Sequence, residues 1–126
     1  MSDGVLPDVL GTGLYTVFCG TAVADASRIA KGYYAGPGNK FWSTLYATGL
    51  TPILIRPADY ALIQQYGLGL TDVAKNVSGP DSSLRPRDFD IKRFTDRIRN
   101  NAPDIVAFNG RMAARKVLKR NEIAFG

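Results

Sequence analysis

Leu14 to Cys19 reads LYTVFC, and Gly20 closes the run. A short apolar run rich in β-formers and ended by glycine is the pattern of a strand buried on both faces. Asp104 to Asn109, DIVAFN, repeats the pattern further along the chain and leads into Gly110. Gly69 to Asp72 is a shorter strand of the same kind. Helical patterns fill the intervals, so strands and helices alternate from end to end. That order predicts an α/β fold, a three-layer sandwich with a mainly parallel central sheet, whose ligands sit beyond the carboxyl ends of the strands. Gly20, Asp72 and Asn109 all fall at such ends.

Working outward, Thr21 to Asn39 reads as a long loop with Gly32, Gly36, Pro37 and Gly38 among small residues. Long loops inside compact domains usually carry function. Asn39 is expected to cap a helix whose Phe41, Trp42, Leu45 and Tyr46 share one face, with Gly49 as its stop. Pro57 suits the first position of another helix, running through Leu62 and Ile63 to Tyr66 with Gly67 as its cap. The polar stretch from Asn76 to Arg87 is a loop. Asp90 is expected to cap a helix with an apolar stripe of Ile91, Phe94 and Ile98, while Lys92, Arg93, Arg97 and Arg99 point elsewhere. Pro103 ends it, and a basic helix runs from Arg111 to about Arg120. Neither repeat nor linker interrupts the pattern, so residues 1–126 form one domain.

A chain of 126 residues with 45% hydrophobic content can build a real core. At this size roughly two thirds of the unfolded chain's surface can be buried, so the domain needs neither metal nor disulfide to fold. Cys19, the single cysteine, reads as a buried thiol in a reducing compartment. No run approaches the roughly 18 apolar residues of a membrane span, and Met1 to Pro7 lacks the regions of a signal peptide, so a cytoplasmic location is expected. With no histidine in the chain, most zinc and triad chemistries are excluded. Any catalysis must use carboxylates, amides, hydroxyls and water.

The formal charge is +5, unevenly spread. Arg85 to Arg99 holds six basic and three acidic residues, and Arg111, Arg115, Lys116, Lys119 and Arg120 follow with no acid among them. A positive second half suits a polyanion, although solvated helix faces produce the same pattern.

The motifs LPDVL (6–10), VFCG (17–20), GPGNKFW (36–42), GLTP (49–52), YGLGLTD (66–72) and PDIVAFNG (103–110) occur in one order. In that order they resemble the mismatch-specific uracil and thymine DNA glycosylases of the uracil-DNA glycosylase superfamily. The resemblance covers nearly the whole chain, and Pro37, Asn39, Phe41 and Trp42 are its most specific part. It implies a uracil-DNA glycosylase-like fold, no cofactor, no metal, and DNA containing uracil or a mismatched base as partner, which would place the protein at the nucleoid. It also implies that the loop after the first strand receives a base flipped out of the duplex, with Tyr34 where the family places its stacking aromatic.

Two departures stand beside the match. Where the family usually reads GINPG, with an asparagine that positions the attacking water, this chain reads GTAVA and has Ala22. A methyl group can neither orient water nor stabilise charge developing on the sugar. One branch, commonly called family five, also has alanine there and remains active. Family members also continue into a further strand and an NPSG-like loop that enters the minor groove; nothing here matches them, and the chain reads as truncated at its C-terminus.

A replacement for the asparagine must reach the sugar from near a strand end. Asp25, Asp72 and Asn109 are the catalytic candidates. Each also has a structural explanation: Asp25 as the cap of a helical turn at Ala26 to Ala30, Asp72 as a partner of the following turn, Asn109 as a satisfier of loop backbone. Gly20, Thr21, Ala22, Ser27, Tyr34 and Asn39 are expected around the base, and Lys40, Lys75 and Arg111 on DNA phosphates. Three functions remain open from the residues: a monofunctional glycosylase, a non-catalytic binder of damaged or abasic DNA, and a nucleotide-binding or structural domain.

Overall fold

The computed structural model describes residues 5–119. Three strands, β1 (Thr16–Gly20), β2 (Leu68–Asp72) and β3 (Ile105–Phe108), form one sheet in the order β2-β1-β3, with both pairings parallel. The helices are α1 (Asp25–Ala30), α2 (Phe41–Ala47), α3 (Ile91–Asn101) and α4 (Arg111–Leu118). The fold is the expected α/β sandwich. Arg120, the last residue of the predicted basic helix, lies outside the described residues.

Alternation along β1 divides the core into two. Phe18 packs toward Leu6, Val9, Tyr33, Trp42, Leu45 and Ile63 on one face, while Cys19 packs against Val73, Phe94 and Ala113 on the other. The expected buried thiol is fully enclosed. Burial, reinforced by the charge of Asp72, pushes its pKa well above the ordinary range, so it is an inert packing group.

Every residue of β2 is buried, because the N-terminal segment crosses its outer edge. Val9 and Leu70 exchange backbone hydrogen bonds of 2.9 and 3.0 Å in an antiparallel bridge. Gly69 allows that approach: a β-carbon there would run into the Val9 carbonyl oxygen and stand 2.8 Å from Leu14 Cδ1.

The helices follow their sequence signals with three adjustments. Pro57–Tyr66 is a 3-10 helix rather than an α-helix, with non-helical backbone at Asp59; Gly67 still ends it in the left-handed region. Asn39 sits one residue before the N-cap of α2, which is Lys40, and its Oδ1 accepts from the backbone N–H of Phe41 at 2.9 Å. Asp90 caps α3 by accepting from Arg93 N at 3.0 Å, and Phe94 is buried as predicted. Arg97, however, does not point away from the core. Its Nη2 donates to the Asp72 carbonyl at 2.9 Å, and its Nε lies 3.2 Å from Asp8 Oδ2, at an angle too poor for a hydrogen bond.

Candidate active site

Parallel register brings the strand ends to one edge. Gly20 stands opposite Asp72, and Cys19 opposite Phe108. Backbone bonds carry the ladder past the strands: Val73 N to Gly20 O at 3.0 Å, Ala74 N to Thr21 O at 2.7 Å, and Asn109 N to Cys19 O at 2.7 Å. A cavity of about 270 Å³ opens there, with Gly20, Thr21, Ala22 and Ser27 from one side and Tyr34, Asn39, Asp72 and Asn109 from the others. Eight of the twelve residues expected at the site therefore come together. Tyr33, which sequence reasoning did not single out, joins them.

Asp72 is the chemically distinctive member. It is 2% exposed. Lys75 Nζ donates to its Oδ2 at 3.2 Å, to Leu6 O at 2.9 Å and to Tyr33 Oη at 3.1 Å, and lies 2.7 Å from Asp8 Oδ1. Thr71 Oγ1 donates to the same Asp8 oxygen at 2.9 Å. Burial raises the Asp72 pKa and the Lys75 charge opposes it; the net direction is upward. The pocket thus holds a carboxylate that is desolvated, charge-compensated on one oxygen, and more basic than a carboxylate in water.

The loop beside it is held by specific bonds. Ser27 Oγ is buried and accepts from Ala35 N at 3.0 Å, and Trp42 Nε1 donates to Tyr33 O at 2.8 Å. Between these anchors Tyr34 adopts a positive φ of 55°, a costly conformation for a residue with a β-carbon, retained where surroundings over-determine it. Its ring stacks on Phe41 with centroids 4.0 Å apart and planes at 29°. Burial pushes the Tyr34 pKa strongly upward; the Asp72 charge adds to this and the Asn109 side chain counteracts it.

Two expectations about the site are corrected. Asp25 does not line the cavity. It is the first residue of α1, its carboxylate caps no backbone N–H among the described residues, and it accepts from half-buried Ser78 Oγ at 2.8 Å while lying 3.7 Å from Arg28 Nε. Lys75 is not a surface cation for phosphate: only 11% of its side chain is exposed, and Asp8 and Asp72 occupy its charge. Lys40 and Arg111 are exposed at the same sheet edge. Lys40 borders a second, apolar cleft of about 760 Å³ between Phe41 and Phe108, which shares Asn39 and Asn109 with the pocket. The remaining cations of α4 lie further along a helix that packs through Ala113 and Val117 beneath the sheet, away from the cavity. Among the described residues no cluster of side chains could hold a metal ion, and no helix is long and apolar enough to cross a membrane.

A parallel α/β sheet with a small pocket at its carboxyl edge, a buried carboxylate on the floor and a strained aromatic on the wall forms a candidate binding or catalytic site. A family model of the uracil DNA glycosylase superfamily matches residues 7–125. The chain belongs to that superfamily.

Proposed function

We propose that this protein is a monofunctional glycosylase that hydrolyses the N-glycosidic bond of uracil, or of a related deaminated or mismatched base, in DNA, with Asp72 acting on the attacking water. One observation carries the reading: a buried carboxylate, raised in pKa, stands in the pocket next to the strand end where Ala22 offers only a methyl group. Lys75 takes one carboxylate oxygen and fixes the orientation, leaving Oδ1 beside Gly20 to receive a proton.

In the reaction so framed, the C1′–N bond breaks and its electron pair leaves with the base. Water oxygen bonds to C1′, and one water proton passes to Asp72. That proton is then released to the departing base or to solvent. The ionised carboxylate also stabilises positive charge on the sugar as the bond opens. Tyr34, backed by Phe41, offers its remaining ring face to a flipped base, and such stacking is worth about 1–3 kcal/mol, comparable with the cost of unstacking. Lys40 and Arg111 would position the duplex through phosphates.

Ala22 on the pocket wall favours a second reading, a binder of damaged or abasic DNA without catalysis. Incubation with a uracil-containing duplex followed by alkali separates the two. Strand breakage at the uracil supports the glycosylase; salt-dependent binding without breakage supports the binder. Neither breakage nor binding would dismiss both.

A further inference from the structure

Tyr34 has a feature that base stacking does not use. Its hydroxyl is buried, and although the Asn109 side chain comes near enough to draw its pKa down, no neighbour among the described residues meets it in hydrogen-bond geometry. Buried polar groups are nearly always paired, so an unpaired hydroxyl at a pocket floor calls for a ligand. Its position is defined by Gly20. A β-carbon on Gly20 would stand 2.9 Å from Asp72 Oδ1 and 3.5 Å from Tyr34 Oη, so the two oxygens converge on one point that only glycine leaves open. Asn109 lines the same pocket.

We infer that this gap is the seat of the hydrolytic water, and that the Tyr34 hydroxyl is a catalytic group that holds it together with Asp72 Oδ1. The inference rests on the glycosylase reading for its chemistry. Tyr34 Oη donates to the water oxygen, and the water donates one hydrogen to Asp72 Oδ1. That geometry leaves a lone pair for the sugar carbon. During hydrolysis the water proton moves to Asp72 Oδ1, the water oxygen bonds to C1′, and the C1′–N electron pair departs with the base. Tyr34 keeps its own proton throughout. The hydroxyl so placed supplies part of the orientation that Ala22 cannot, and it makes Tyr34 distinct from a phenylalanine that would stack equally well.

Two substitutions and one structure test this. Tyr34→Phe keeps the ring, so affinity for a uracil:guanine duplex should be unchanged while the single-turnover excision rate falls roughly tenfold, the effect of one lost hydrogen bond to the reacting water. Gly20→Ala fills the gap and should lower the rate further, and in that background Tyr34→Phe should add no further loss, because both changes remove the same water. A full rate in Tyr34→Phe, or purely additive losses, would overturn the inference. A high-resolution crystal structure reads the site without activity. It should show an ordered water within about 3 Å of both Tyr34 Oη and Asp72 Oδ1, absent in Gly20→Ala. If the unmodified protein releases no base, the glycosylase reading fails by itself. The water site then stands if that water is seen and falls if it is not.

Discussion

Asp72 and Asp25 are two carboxylates near one sheet edge, and the fold treats them oppositely. Asp72 ends a strand whose register sets it against Gly20, and the N-terminal segment and α3 close over it until 2% remains exposed. Asp25 starts a short helix, keeps 57% of its side chain exposed, and spends its charge on Ser78 and Arg28. The difference shows that sheet register, not closeness along the chain to Ala22, decides which of the two carboxylates enters the pocket. The surroundings differ in the same way: burial makes Asp72 more basic while its ion pair with Lys75 opposes the shift, whereas the bonds of Asp25 lie in solvent.

The comparison breaks most sharply by substitution. Asp72→Asn should lower single-turnover excision of uracil by about 10² to 10⁴-fold, the range for losing a general base, with duplex affinity retained. Lys75→Met leaves Asp72 buried without its cation and Asp8 with Arg97 alone, and denaturant melts should show a loss of about 3 kcal/mol. The same change removes the group that lowers the Asp72 pKa, so the pH at which activity appears should move upward. Asp25→Asn should be the smallest effect, with excision unchanged and stability within about 0.5 kcal/mol, because an exposed bond to Ser78 is replaced by water.

Much of this arrangement was legible in the sequence because it depends on local pattern. The runs ending at Gly20, Asp72 and Asn109 announce strands, and a parallel sheet necessarily gathers their ends, so most pocket residues could be named in advance. What escaped was long-range pairing. Nothing near Lys75 shows that Asp8 will return across β2 to claim its charge, so it reads as one more cation for phosphate. Arg97 is charged on an amphipathic helix and reads as solvated, yet it reaches over the sheet end to the Asp72 carbonyl. Tyr33 lies next to the tyrosine that the resemblance singles out. Its hydroxyl donates to the Pro7 carbonyl at 3.2 Å, a contact set by tertiary packing alone.

Folding also links Asp72 to pH in a fixed direction. Because burial raises its pKa, the native state retains a proton that the unfolded chain has already released. Stability contributed by this group therefore falls as pH rises from the usual carboxylate range to the raised value, and is constant above it. Catalysis runs the other way, since the ionised form must accept the proton. The most direct test of the account is thus the pH dependence of single-turnover uracil excision, measured from acid to neutral pH for the unmodified protein and for Asp72→Asn. The account predicts a rate that climbs with pH through a midpoint above the usual carboxylate range, and the loss of that limb in Asp72→Asn. A rate that is flat across this interval, or a limb that survives unchanged in Asp72→Asn, would contradict the assignment of Asp72 as the group that takes the water's proton.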